Sequence, residues 1–106
     1  MSSRITSVDE ARNALGKRLR ELRTQAKLSG KELAESLSWP PSKISKIENG
    51  RQTPTDDDIR AWTRATNAET QTASLLAALH TLELQHAEWS RLLKVGMKSH
   101  QGSLAQ

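Results

Sequence analysis

The chain has 106 residues, of which 35% are apolar and 26% are charged, and it contains no cysteine. This is the composition of one small soluble globular domain, without a disulfide framework or a thiolate site. No apolar run approaches the roughly eighteen residues of a membrane span, and the start MSSRITSVDE lacks the apolar centre of a signal peptide. We therefore expect a cytoplasmic protein without membrane contact.

The positive charge is concentrated in the first half of the chain. Residues 12–51 hold ten Lys and Arg against four Glu, a local net charge of +6, whereas residues 52–106 hold five against six acidic residues. Such a distribution suits a polyanionic partner such as nucleic acid, although a basic surface can also serve only solubility.

Two capping-box patterns predict the first two helices. Ser7 with Glu10 starts a helix over about residues 8–27, and Ser29 with Glu32 starts another over about residues 30–37. Apolar residues recur in these segments at helical spacing: Val8, Ala11, Leu15, Leu19, Leu22 and Ala26, then Leu33, Ala34 and Leu37.

Two adjacent prolines predict where the third helix begins. Pro41 suits the first helical position, since it has no amide hydrogen to lose, and Pro40 keeps Trp39 out of the preceding helix. Trp39 and Ile44 then occupy the positions of a hydrophobic staple, and Gly50 ends the helix. Its buried side holds Ile44 and Ile47, and its open side holds Ser42, Lys43 and Lys46.

An acidic triplet follows the next turn. Thr55 caps a fourth helix whose first turn carries Asp56, Asp57 and Asp58, and carboxylates there favour the positive end of the helix dipole. Three consecutive carboxylates point in different directions, so we expect no metal site. The inward face of this helix is Ile59, Trp62 and Ala65.

The last helix is predicted from about Thr70 to Lys98, followed by a flexible tail over residues 99–106. A heptad-like stripe runs along it: Leu75, Leu79, Leu82, His86, Trp89 and Leu93. The first half of this stripe can pack on the helices before it. The second half can meet another subunit or domain, so both interpretations stay open.

The pattern LGKRLRELRTQAKLSGKELAESL, a SWPP turn, SKISKIENG and then TP resembles the XRE (Cro/CI-type) helix-turn-helix regulators. The resemblance covers about residues 12–68. It implies an all-α, five-helix, lambda-repressor-like DNA-binding domain over residues 8–68, extended by a long amphipathic helix over residues 69–98.

A narrower likeness lies in SWPPSKISKIE followed by HAEWSRLLKVGMKSHQ, which looks like the amino-terminal part of WhiJ-type actinobacterial regulators. In that group a larger carboxy-terminal domain follows. We therefore expect either a fragment of a longer regulator or a truncated paralogue. A small acidic protein, often encoded beside such regulators, is a further candidate partner.

The resemblance implies roles for individual residues. The positions that face base edges in the major groove are Pro41, Ser42, Lys43 and Lys46, and Arg23 and Glu48 form a structural pair. The candidates for phosphate contact are Ser29, Gly30, Lys31, Asn49, Arg51 and Arg18. The heptad-like stripe, and not the resemblance, gives the candidate dimer or partner interface: Leu82, His86, Trp89 and Leu93. Gly30 stands where the wider family commonly has a phosphate-binding glutamine. Pro41 stands where a base-reading side chain is common, so we expect modest specificity per half-site and a need for dimerisation.

The functional hypothesis is a sequence-specific, dimeric transcriptional regulator that binds double-stranded DNA at the bacterial nucleoid. The alternative is a protein-interaction module, an antitoxin or antagonist, that keeps the fold. An enzyme is not expected, because there is no phosphate-binding glycine loop and no cysteine nucleophile. His80 and His86 lie six residues apart, on different helix faces, so we expect neither a metal site nor a cofactor.

Overall fold

The computed structural model describes the backbone of residues 3–105 and the side chains of residues 8–94. This part of the chain forms five α-helices and one 3-10 turn, with no strand: α1 (Ser3–Gln25), α2 (Gly30–Leu37), α3 (Pro41–Glu48), α4 (Asp56–Ala65), the turn Glu69–Gln71, and α5 (Thr72–Ala105). The all-α class is confirmed. No helix of the described residues has an apolar stretch that could cross a bilayer.

The two long helices extend beyond their predicted limits. α1 begins at Ser3, so Ser7 lies inside the helix and the start predicted at residue 8 is wrong. α5 continues beyond Lys98 to Ala105. The side chains of residues 99–106 lie outside the described residues, so the predicted flexibility of this tail stays a prediction.

The predicted signals start and end the short helices. Ser29 with Glu32 and Thr55 with Asp58 form complete capping boxes at the starts of α2 and α4. Pro41 is the first residue of α3. At the other end of α3, the amides of Gly50 and Arg51 donate to the carbonyls of Ile47 and Lys46 at 3.2 and 2.8 Å. This is a Schellman motif, which explains the φ of +73° at Gly50.

One apolar core joins all five helices. Its buried residues are Val8, Leu15, Leu19, Leu33, Ala34, Ile44, Ile47, Ile59, Trp62, Leu75, Leu79 and Leu82. Trp62 is fully buried, and its indole N–H donates to the carbonyl of Leu19 in α1 at 2.9 Å. This bond joins α4 to α1 inside the core. Leu33 and Ala34 anchor α2 in the same core, and Ile44 and Ile47 anchor α3.

Candidate nucleic-acid interface

α2 and α3 pack against each other across a three-residue turn. Ser38 ends α2 in the left-handed conformation, with φ of 59°, and the amide of Trp39 donates to the carbonyl of Ala34 at 2.8 Å. The Trp39 ring is half-buried on the core, with its centroid 6.1 Å from that of Trp62. This contact and the following prolines fix the angle at which the chain enters α3.

One face of α3 is exposed along its whole length. Ile44 and Ile47 face the core. The residues open to solvent are Pro41, Ser42, Ser45, Lys46 and Asn49. Four of the five carry hydrogen-bonding groups, and Asn49 donates from its amide to the Ser45 hydroxyl at 3.3 Å. Ser45 belongs to this face by its helical position, although sequence reasoning did not select it.

Lys43 does not lie on that face. Its ammonium is 3.0 Å from Oδ1 of Asp58 and 4.0 Å from the centre of the Trp39 ring. Asp58 is buried, and its other oxygen accepts the backbone N–H of Thr55 at 2.9 Å. The prediction that Lys43 projects from the open side of α3 is therefore wrong, because a buried carboxylate and an aromatic ring draw its side chain toward α4.

α1 approaches the end of α3 very closely at a glycine. A Cβ at Gly16 would lie 2.5 Å from the carbonyl oxygen of Ile47 and 2.6 Å from that of Glu48. The missing side chain lets the two backbones touch. As a result Lys17 and Arg20 of α1 line a common groove with Asn49 at the end of α3.

An ion pair joins α1 and α3 at Arg23, about two helical turns after Gly16. Arg23 donates to both carboxylate oxygens of Glu48, at 2.6 and 3.0 Å, and to the carbonyl of Leu28 at 2.9 Å. The bond to Glu48 raises the pKa of Arg23 above its ordinary value, against the opposing effect of burial. The pair predicted between Arg23 and Glu48 thus joins α1, the loop before α2, and α3.

The start of α2 lies beside the start of α3. Gly30 and Lys31 line one concavity together with Pro41, Ser45 and Arg20. In the capping box, the amide of Ser29 donates to Glu32 and its hydroxyl oxygen accepts the amide of Glu32. The donors that can still reach an anion here are the amides of Gly30 and Lys31, the hydroxyl hydrogen of Ser29 and the Lys31 side chain.

The two arginines predicted to contact phosphate lie in different places. Arg51 is exposed just after α3. Arg18 donates to the Ser74 hydroxyl at 3.0 Å and to the Gln71 side chain at 3.5 Å, at the start of α5. At about 100° per residue it points almost opposite to Arg20 around α1 and about a quarter of a turn away from Lys17, toward Ser74 and Gln71. The fold therefore does not bring Arg18 to the exposed face of α3.

The predicted partner stripe on α5 is only partly accessible. Leu82 is 2% exposed, because it completes the core of its own chain, so it offers no surface to a partner. Trp89 is half-buried, His86 is exposed and Leu93 is 47% exposed. The accessible part of the stripe therefore begins beyond Leu82.

The arrangement of α2, turn and α3 coincides with a known domain. Residues 14–79 match the family described as "Helix-turn-helix domain". The chain belongs to this family. Nothing among curated proteins or solved structures matches it. The matched region includes the whole of α2, α3 and α4 and ends at Leu79, one turn before Leu82, which is also buried in the core.

The helix-turn-helix domain indicates DNA binding, and its all-helical fold is typical of non-enzymatic DNA-binding proteins. Sequence reasoning missed three features that surround it. Ser45 was detectable from helical spacing alone. The placement of Lys17 and Arg20 beside α3 required the Gly16 contact. A cluster brings Asp56 together with His80 and Glu83, which follow it by more than twenty positions in the sequence, so no local signal pointed to it.

Proposed function

We propose that this helix-turn-helix domain is a sequence-specific DNA-binding transcriptional regulator that inserts α3 into the major groove. The observation that supports this most is the exposed polar face of α3, which lies between basic residues of α1 and the start of α2. α3 is held at that position by the Gly16 contact and by the Arg23–Glu48 pair. A rigidly mounted helix can present the same side chains to successive base pairs.

The side chains of this face suit direct readout. Lys46 can donate to O6 and N7 of guanine, and the hydroxyls of Ser42 and Ser45 can pair with several bases. Pro41 contributes only apolar contact, since it lacks a donor. We leave Lys43 out of the proposed base contacts because its ammonium is bound to Asp58.

Phosphate contacts would flank the readout residues. The amides at the start of α2, the side chains of Lys31, Asn49 and Arg51, and those of Lys17 and Arg20 lie on or beside the α3 face. Such contacts position a protein on DNA without specifying sequence. Arg18 is excluded from this proposed set by its bonds to Ser74 and Gln71.

The finer identity that we propose is an XRE-type bacterial regulator that acts at the nucleoid, with a narrower resemblance to WhiJ-type regulators. This rests on the motif SKISKIENG and on the sequence HAEWSRLLKVGMKSHQ in α5. A small acidic protein remains a proposed second partner on the same resemblance, as an addition to DNA.

Selection on random duplex DNA tests the proposed function. The parent chain should enrich a defined motif, and Ser42→Ala combined with Lys46→Ala should lose it, because each good base contact contributes about 1–3 kcal/mol of discrimination. Arg64→Ala is the control: it removes one exposed cation at the end of α4 and should keep the motif. Equal enrichment by the double variant would refute α3 as the reading helix. Salt-sensitive binding without any enriched motif would mean that the chain binds DNA only through phosphate contacts and does not select a sequence.

We also propose that the chain binds DNA as a homodimer through the second half of α5. Leu92 and Leu93 are 44% and 47% exposed there, beyond the region that matches the family. Leu93→Glu should reduce the sedimenting mass from dimer to monomer. Leu84→Glu is a matched control, since Leu84 is 71% exposed but lies on the opposite side of α5, nine residues or about 180° away. Dissociation by Leu84→Glu alone would place the interface on the other face.

A second candidate function is the protein-interaction module, an antitoxin or antagonist. The exposed leucines of α5 support it, because they offer an apolar surface that DNA does not need. Under this alternative the random-duplex selection yields no motif, while Leu93→Glu still abolishes association with a protein partner.

A further inference from the structure

Three side chains able to bind a metal ion meet where α4 begins beside α5. Asp56 is the first residue of α4, and His80 and Glu83 lie one turn apart on α5. One ligand atom from each lies within 4.8 Å of the other two. Residues at i and i+3 share a helix face, so His80 and Glu83 point toward Asp56 together.

The distances in the cluster are close to those of a metal site. Nε2 of His80 is 3.0 and 3.2 Å from the two carboxylate oxygens of Asp56. Around a tetrahedral zinc ion with bonds of about 2.1 Å, neighbouring ligand atoms are about 3.4 Å apart. The Asp56–His80 distances are slightly shorter than this, and the exposed Glu83 side chain can approach the other two by a rotamer change.

The neighbouring carboxylates are bound elsewhere, whereas that of Glu83 is not. Asp57 lies 3.7 Å from Arg60, and Asp58 pairs with Lys43. Within residues 8–94, whose side chains the structure describes, Glu83 makes no hydrogen bond or ion pair. The cluster therefore offers two carboxylates and one imidazole to a cation, with Asp56 and His80 hydrogen-bonded to each other.

We propose that Asp56, His80 and Glu83 bind one divalent first-row transition-metal ion, for which Zn²⁺ is the probe. An imidazole with carboxylates suits such ions, whereas Mg²⁺ and Ca²⁺ prefer oxygen ligands alone. The bound ion replaces the proton between His80 and Asp56 and links the start of α4 to α5. Water completes its coordination, because the three residues are at least partly open to solvent.

The bound ion would hold α5 against α4 just before the part of α5 that we propose as the dimer interface. Glu83 follows Leu82, the last buried residue of α5 in the core, and precedes the accessible stripe at His86. Because the ion binds the folded arrangement of α4 and α5, it raises the thermal midpoint as the free Zn²⁺ concentration rises above the dissociation constant. This effect requires neither DNA nor a partner.

Isothermal titration of the whole chain with ZnCl₂, together with thermal circular dichroism, tests the proposal. We expect one saturable site per chain and a midpoint that rises with Zn²⁺ but not with Mg²⁺. His80→Ala and Glu83→Gln should each weaken Zn²⁺ binding about tenfold or more, while His86→Ala, a histidine on the same helix outside the cluster, should bind as the parent does.

Two outcomes would overturn the site: no saturable Zn²⁺ binding by the folded chain, or binding that His80→Ala and Glu83→Gln leave unchanged. Spectra recorded without metal establish that each variant is folded. Glu83→Gln provides a second test, because Glu83 makes no hydrogen bond or ion pair with the side chains that the structure describes. Since no DNA is present, the result is independent of the proposed function.

Discussion

Gly16→Ala should destabilise the fold, although glycine-to-alanine changes inside helices ordinarily stabilise. The new Cβ would lie 2.5 Å from the carbonyl oxygen of Ile47, whereas ordinary contact begins at 3.4 Å. α1 and α3 must therefore separate by about 0.9 Å, the difference between these two distances. Both obstructing atoms belong to the backbone, so no side-chain rotation relieves the clash.

The expected magnitude follows from two opposing terms. Overpacking a close contact costs about 1–3 kcal/mol, and the displacement here is large enough for the upper end of that range. Alanine regains about 1 kcal/mol of helix propensity. The net loss of about 2 kcal/mol corresponds to a fall in thermal midpoint of about 10 °C for a domain of this size.

Thermal unfolding followed by circular dichroism measures this effect, and Gly30→Ala is the matched control. A Cβ at Gly30 would lie 3.7 Å from Cγ2 of Ile44, which is ordinary contact, so its thermal midpoint should stay the same or rise slightly. A Gly16→Ala variant as stable as Gly30→Ala would refute the close approach of α1 to α3. The placement of Lys17 and Arg20 beside Asn49 would then lose its basis.

Three further substitutions test the contacts that hold α3 and α4. Arg23→Met should lower the free energy of unfolding by about 2–4 kcal/mol in chemical denaturation, because it leaves the Glu48 carboxylate buried without its partner. Because the pKa of Arg23 is raised in the folded state, the arginine stabilises the fold fully at any pH below its ordinary pKa, and this stabilisation is lost only as the pH rises above that range. The difference between Arg23→Met and the parent should therefore be constant from about pH 6 to 10. Lys43→Met should lower the free energy of unfolding by about 1 kcal/mol and leave the selected DNA motif unchanged. A changed motif with unchanged stability would show that Lys43 contacts bases after all. Thr55→Ala should cost about 1 kcal/mol through loss of the cap of α4, and an unaltered midpoint would contradict the capping box.

Local signals in the sequence were sufficient for most helix boundaries. The capping boxes at Ser29 and Thr55, the proline at position 41 and the glycine at position 50 each act through atoms a few residues away, and the structure has all four. Ser7 was the exception. Its capping pattern is just as local, yet the helix had already begun at Ser3.

The directions of long side chains were not predictable from the same signals. Helical spacing placed Ile44 and Ile47 inward correctly, because burial of apolar surface depends mainly on the period of the helix. Lys43 and Arg18 have flexible side chains whose position depends on which polar group is nearest. The partners that decided it, Asp58 for Lys43 and Ser74 for Arg18, come from other helices.

By itself the sequence determined the helices, their inward faces and the helix-turn-helix motif, since these follow from periodicity and from hydrogen bonds that close within one turn. Only the tertiary structure decided which polar side chains are bonded within the chain and which are open to a ligand. It bound Lys43 and Arg18 within the chain, buried Leu82, and brought Asp56 to His80 and Glu83. The physical reason is that these side chains are bonded or buried by residues of other helices, and such contacts form only when the helices pack together.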